Sequence, residues 1–507
     1  MRVRLGTTLA VAMLGWALTT GAGWSQQTDQ QANSQTQTGQ QGGTAPQTGP
    51  TKATPGAPPA QPLPPLSPSG TQGQAGGTGP AEETPPADTR PLAGAQEITP
   101  SLPGEGRSYI LPSFSVYEAG DTNAQLQSGS GAGFEVATIP EGSIELNKVG
   151  SANQIGLTYA GGGLIYNTDL SQSATFQYLG LSDTYSTRRW KLLLADRVSY
   201  LPQASEGFGG IGLAGSFNTA QSLGLGTGFG ALNPMVVPGQ SILTTTAGAT
   251  TNVGVAQAQY SVSPRSSISA FGSYGIFDYS QPGLAGGNER MFSVSYDHNL
   301  TSVDTVSVSY SFIANRFSAG TVKINENLWR LGYGRRITDR LSLTLLAGPE
   351  FISSAVQAIP GVNQQWSYVV QGSFRYQLPR TGLSLSYLHY TTPGSGVYYG
   401  AQTDTLNGGV NRELSRKWTV SLYGNYSRNA QLGSFSVNPN VGNPGVVNYE
   451  TGTFRLSRIF GRYTRGFLVY TLEHQQSATA VSGAAGRVII RQIFGIGVEL
   501  HPRPLAL

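Results

Sequence analysis

Between Met291 and Phe312 the chain reads MFSVSYDHNLTSVDTVSVSYSF, with its apolar residues on alternate positions. Phe292, Val294 and Tyr296 share one parity, and Ser293, Ser295 and Asp297 share the other. After the polar link Asn299 to Ser302, Val306, Val308, Tyr310 and Phe312 oppose Thr305, Ser307, Ser309 and Ser311. Side chains of a strand alternate between its faces, so the segment predicts a β-hairpin with one apolar and one polar face. The polar face carries small hydroxyls rather than the long mixed charges of a soluble surface, which points to a wet but enclosed space.

The same alternation recurs along the C-terminal four hundred or so residues. It predicts strands near 108–118, 132–148, 152–168, 172–185, 188–202, 250–262, 266–278, 288–298, 303–316, 322–336, 340–356, 364–378, 381–392, 398–414, 416–429, 447–460, 464–477 and 485–501. Eighteen is an even number, as a single-chain outer-membrane barrel requires, and 16–18 bounds the expectation. Short connections, such as 149–151, 263–265, 299–302, 338–340, 378–381, 414–416 and 461–464, alternate with longer ones at 205–250, 280–287, 357–364, 429–446 and 476–484. Short turns on one rim and long loops on the other is the asymmetry of such a barrel, with the short rim periplasmic. It places both ends of the barrel domain on the periplasmic side.

Several strands display their outward face plainly. Tyr368, Val370, Phe374 and Tyr376 alternate with Ser367, Gln371, Ser373 and Arg375, and in the last strand Val488, Ile490, Phe494, Ile496, Val498 and Leu500 share a parity. An apolar face on every strand would leave a soluble protein with an apolar shell, so lipid is the economical partner. Trp190, Trp329, Trp366 and Trp418 lie toward strand ends, where interfacial girdles are expected. One residue conflicts: Asp196 falls on the apolar parity of Trp190, Leu192, Leu194, Val198 and Tyr200, which predicts a β-bulge or a position near the rim. Gly466 to His474 is apolar on both parities and leaves its register open. A soluble β-propeller is disfavoured because the strands exceed the usual 5 or 6 residues.

Composition sharpens this picture. Two arginines in the first four residues, an apolar run from Leu5 to Ala17, and small residues at Gly23 and Ser25 predict a signal peptide over 1–25. The run is shorter than the ~18 residues of a membrane helix. Residues 26–106 are rich in Gln, Thr, Pro, Gly, Ser and Ala and nearly free of aromatics. Such a segment buries too little apolar surface to offset ordering entropy, which predicts a disordered periplasmic linker, with a periplasmic or envelope partner as its alternative role. The barrel domain is then 107–507. Charged residues make up 11% of the chain, with 68 Gly and 24 Tyr, odd values for a soluble enzyme. A net charge of +4 without a basic, aromatic-interleaved stripe argues against nucleic acid. The absence of Cys excludes disulfides, thiolate metal sites and an acyl-cysteine anchor.

Candidate chemistry is sparse. His298 is expected at a turn and His501 near the terminus, and His389 and His474 lie on separate strands, none with a second His or a carboxylate at ligand spacing in the sequence. Nothing marks a Ser, His and acid constellation, so no enzymatic activity and no cofactor is expected. The glycine clusters at 209–215 and 224–230 lack the Lys and following helix of a phosphate loop. Both fall in the 205–250 loop, whose apolar content favours folding into the lumen over an outward lid. The inward parity nominates as pore-lining candidates Glu145, Lys191, Arg197, Asp297, Arg330, Glu350, Arg375, Arg455, Arg491 and Glu499, mixed in sign with a slight basic excess. Such charges either tune solute selectivity or pair across the wall and stabilise it.

The segment SFSVYEAGDTNAQL, Ser113 to Leu126, followed by SIELNKV and NQIGLTYAGG, resembles the opening of outer-membrane β-barrel porins, including barrels associated with bacterial exopolysaccharide systems. In these a strand ends in a small acidic and Asn motif, matched here by Asp121 and Asn123, and a meander of long strands follows. The resemblance implies a Gram-negative-type outer-membrane location and insertion by barrel-assembly machinery, although the usual terminal aromatic is missing and His501 to Leu507 run beyond the last strand. The expectation is an all-β, transmembrane antiparallel barrel acting as a passive channel for small polar solutes or ions. A structural or secretion-associated barrel, serving exopolysaccharide export or surface assembly, is the alternative.

Overall fold

The structure is a computed structural model, describing residues 108–507 apart from 125, 127–132, 168–172, 202–241, 243–247, 281–283, 318–321, 357–358, 393, 395–396, 433–444, 478–487 and 501. The expected signal peptide and linker, and all of the 205–250 loop but 242 and 248–250, lie outside the described residues.

The described chain is a meander of long strands: β1 (Tyr109–Asp121), β2 (Glu135–Val149), β3 (Asn153–Tyr166), β4 (Ala174–Ser186), β5 (Trp190–Leu201) and β6 (Ala249–Ser263). It continues through β7 (Ser266–Tyr279), β8 (Gly287–Asn299), β9 (Asp304–Phe317), β10 (Val322–Thr338), β11 (Leu341–Val356) and β12 (Ile359–Leu378). The last third comprises β13 (Thr381–Thr392), β14 (Ala401–Glu413), β15 (Trp418–Gln431), β16 (Val446–Ile459), β17 (Thr464–Ser477), β18 (Val488–Leu500) and a short β19 (Leu505–Ala506). Each long strand pairs antiparallel with its sequence neighbours, and β1 pairs with β18 from Phe114↔Leu500 to Asp121↔Ile493. β19 extends the seam by pairing with Tyr109 and Ile110. The sheet therefore closes as an eighteen-stranded barrel, with β19 as a two-residue addition to its edge.

Alternation sets what each face does. In β9 the serines and Thr305 point inward and are buried, whereas Val308, Tyr310 and Phe312 are exposed on the outside. Leu331, Trp366 and Ile496 are each more than 60% exposed on this outer face. Two aromatic levels mark its height. Trp190 and Trp418 open β5 and β15 beside the short turns. Trp329 and Trp366 lie farther along their strands, toward the long loops, where Trp366 packs against Trp329 and Phe351 with ring centroids 6.5 and 5.1 Å apart.

Two local expectations are corrected and one open register is fixed. β12 begins at Ile359, so the connection placed at 357–364 is only the link 357–358. Asp196 produces no bulge: β5 keeps continuous register with β4 and β6, and the residue faces outward in mid-strand. There Asn252 Nδ2 donates to Asp196 Oδ1 at 2.9 Å and the neighbouring Arg197 N–H donates at 3.0 Å, so local donors satisfy the carboxylate. The two-sided apolar pattern of β17 arises because Phe467 and Val469 point inward, into a cluster with Tyr117, Ile139, Phe176 and Ile493. A barrel interior that is itself partly packed removes the polar half of the alternation.

The seam is locked by side chains 370 positions apart. Arg491 Nη2 and Nε donate to Asp121 Oδ2 at 2.5 and 2.9 Å, and Arg491 Nη1 lies 3.5 Å from Glu473 Oε2. Asn123 Nδ2 donates to the Ile490 carbonyl at 3.1 Å. Removing one partner of a buried ion pair leaves an uncompensated charge, at a cost of about 3 kcal/mol or more. Arg491→Gln should therefore lower the urea midpoint of the heat-modifiable folded form seen on unheated gels. An unchanged midpoint would show that the seam does not need this clamp.

Candidate functional site

The candidate site is the inner face of the barrel. All ten charged residues nominated from the sequence sit on the inward parity of their strands, but the structure groups them unevenly. Arg455 and Arg465, on β16 and β17, both reach Glu499 on β18, Arg465 Nη1 lying 3.6 Å from Glu499 Oε2. Arg455 also covers the Phe467 ring at 4.3 Å. Arg491 belongs to the seam. Arg197 lies over Tyr178 at 5.2 Å, and Tyr109 donates to Glu145 Oε1 at 2.6 Å. Arg330 Nη2 donates to Ser311 Oγ at 2.7 Å. Asp297 is buried on β8, while Lys191 and Arg375 are half-buried and far from these groups in strand order.

Inward charges that the sequence reading missed change the balance. Asp121, Glu135, Glu141, Glu289, Glu326, Glu413 and Glu473 also face inward, against only Arg336 and Arg465. The slight basic excess expected is thus reversed, and acids outnumber bases on the described inner face. The missed acids lie in strands whose parity is obscured by inward apolar residues, such as Ala137 and Ile139 beside Glu141, or Leu328 beside Glu326. One group of acids lies on β8 to β11, where Glu289, Glu326 and Glu350 interact electrostatically beside Arg330. Asn315 Nδ2 donates to Glu326 Oε1 at 3.1 Å, and Thr391 Oγ1 donates to Glu350 Oε2 at 3.0 Å.

The Thr391 contact reveals a second feature absent from the sequence reading. The β12–β13 ladder ends at Val370↔His389, although β12 itself extends back to Ile359. Beyond His389, β13 parts from β12 but stays paired with β14 as far as Thr392↔Ala401, and all its residues there are buried. The described residues of the connection, 394 and 397–400, turn toward the interior: Tyr399 packs edge-on against Phe317 with centroids 5.8 Å apart, and Tyr398 is buried with Ile242 and Val447. Phe317, on β9, and Val447, on β16, belong to separate parts of the wall, so this connection spans between them. The inward loop expected at 205–250 lies outside the described residues except at its end, and of those only Ile242 is seen in this cluster. Gly394 and Gly400 both have φ of +83°, a left-handed conformation that lets the connection turn in and out. A Cβ at Gly400 would meet Ile324 Cδ1 at 2.5 Å.

The described histidines stand on separate strands, β8, β13 and β17. His298, expected at a turn, lies within β8 and places Nδ1 2.9 Å from Ser266 Oγ. That is the nitrogen an orienting carboxylate would take in a Ser-His-acid triad, so the pair is not arranged as nucleophile and base. His389 and His474 do have carboxylate neighbours, contrary to the sequence expectation, because cross-strand pairing supplies them: Asp404 at 2.7 Å and Glu450 at 3.4 Å. His501 is outside the described residues. Among the described residues no three His, Asp or Glu side chains form a metal-holding group.

Comparison with known proteins gives a likeness of outline. No family model matches the chain, and no curated protein matches its sequence. Among solved structures, OccK2 (OpdF) of Pseudomonas aeruginosa is 8% identical, with 77% of this chain and 98% of that one covered at a TM-score of 0.41. OpdK of Pseudomonas aeruginosa with vanillate is 9% identical, covering 78% and 99% at 0.38. A BenF-like porin from Pseudomonas fluorescens is 8% identical, covering 79% and 99% at 0.41.

The two left-handed glycines yield a test. Gly400→Val would impose both a backbone strain of about 1–3 kcal/mol and a clash with Ile324. The 393–400 connection should then be displaced and be cut by proteinase K in the folded, detergent-purified protein, where the unsubstituted chain resists. Equal resistance would mean that the connection is not held inside.

Proposed function

We propose that this chain is a passive, porin-like channel of the outer membrane of a Gram-negative-type bacterium, admitting small polar solutes or ions. The observation that carries the reading is a closed ring of eighteen strands whose outward face is apolar and whose inward face is hydroxylic and charged. Strands of 12 to 20 residues exceed the ~9–11 that cross a hydrocarbon core, and closure leaves no backbone edge to satisfy. Barrels of 16–18 strands leave an aqueous lumen unless something fills it. In this reading 1–25 is a signal peptide, 26–106 a periplasmic linker and 107–507 the barrel, inserted by barrel-assembly machinery. No catalytic role is assigned.

The inner charges give the channel a preference. Excess acid lowers the energy of a cation in a confined pore and raises that of an anion. The 393–400 connection narrows the passage from the long-loop side.

Planar-bilayer recording tests both statements. The unsubstituted chain should give discrete conductance steps, and a KCl gradient should give a reversal potential displaced toward potassium. Tyr398→Ala with Tyr399→Ala should increase the step size, and neutralising Glu289, Glu326 and Glu350 to Gln should move the reversal potential toward zero. Silence from correctly folded protein would favour the structural-barrel alternative, and anion preference would overturn the assignment of selectivity.

A further inference from the structure

The two rims differ in charge more than a short-turn and long-loop plan requires. Six of the eight short turns carry Arg or Lys, including Arg188, Arg189, Arg380, Arg416, Lys417 and Arg462, and Asp339 is the only acid in those turns. The connections at the opposite rim, taken from the sequence, contain only Asp169, Glu206 and Arg487 as charged residues. All the short-turn cations are exposed. One rim is a cationic collar and the other is nearly neutral.

The collar is also built into the aromatic level below it. Arg189 Nη1 donates to Tyr260 Oη at 3.3 Å, and the Tyr260 ring lies 4.8 Å from that of Trp190. Arg458 lies between Trp418 and Phe460, 5.1 and 5.2 Å from their ring centroids. Arg462 lies over Tyr463 at 5.6 Å, and Arg503 Nε donates to Tyr463 Oη at 2.5 Å. Trp190 and Phe460 are themselves about half exposed or more, on the outward face. A cation held beside an amphipathic ring, directly against an apolar band, matches one chemistry: a phosphate at the top of an acyl chain.

We propose that the short-turn rim binds anionic phospholipid, its arginines and Lys417 contacting headgroup phosphates while the adjoining aromatics contact the glycerol and upper acyl region. The proposal rests on the membrane-spanning reading above but not on channel activity. Its consequence is orientation and anchoring: the collar holds the short-turn rim at a negatively charged leaflet surface, and the neutral rim has no matching attraction.

The test uses the exported full chain carrying Trp329→Phe and Trp366→Phe, so that Trp190 and Trp418 report from the collar, in phosphatidylcholine bilayers doped with brominated lipid. Brominated phosphatidylglycerol should quench tryptophan fluorescence at about threefold lower mole fraction, or less, than brominated phosphatidylcholine, and the preference should vanish at high salt. It should also fall to parity when Arg188, Arg189, Arg265, Arg340, Arg380, Arg416, Lys417 and Arg462 are replaced by Gln, in protein that retains heat-modifiable migration. Parity in the unsubstituted chain, or a preference that survives these replacements, overturns the proposal. So does a preference seen only after removal of 26–105, which would mean that the chain's own acidic residues, Glu82, Glu83, Asp88, Glu97 and Glu105, occupy the collar. Failure of both lipids to quench would instead remove the membrane-spanning reading itself.

Discussion

Closure between the first and last strands is the constraint on which everything else depends. A backbone N–H or C=O without a partner in an apolar surround costs several kcal/mol, so an open sheet of this kind could not stand with its apolar face in lipid. The β1–β18 ladder removes both edges at once, and β19 adds two residues to the pairing near the start of β1. Neighbouring strands are each joined by a single connection, but β1 and β18 must find each other across all the strands between them. That loop-closure penalty explains the concentration of specific side-chain contacts at this seam: Asp121 with Arg491, Glu473 beside them, and Asn123 on the Ile490 carbonyl.

The interior is not a simple wet cylinder. Serines of β8 and β9 bond to one another, as Ser311 does to Ser293, while elsewhere Tyr117, Phe176 and Ile493 pack as an ordinary core. This mixture lets β13 part from β12 after His389 while it stays paired with β14: its buried end finds both an acceptor in Glu350 and an apolar landing through Tyr398 and Tyr399. Packing and polar satisfaction together hold a connection inside a barrel, where either alone would leave it marginal.

The outer surface shows the complementary economy. Its polar exceptions pair locally, as Asp196 does with Asn252, His389 with Asp404, and His474 with Glu450. The cations at the short-turn rim are arranged instead against aromatic rings, Arg458 over Trp418, Arg462 over Tyr463 and Arg189 on the Tyr260 hydroxyl.

Strand number, meander order and the outward face were legible in the chain itself, because a period of two repeated along every strand leaves little freedom: one slipped residue would turn every apolar side chain inward. Val306 to Phe312 and Val488 to Leu500 are read from spacing alone. The inward charge balance was not legible, since Glu141 and Glu326 stand among inward apolar residues that blur the parity. Nor were the carboxylates beside His389 and His474, or the burial of Tyr398. These depend on which residue lies across a ladder or across the lumen, and such distances are set by register and closure, not by position along the chain.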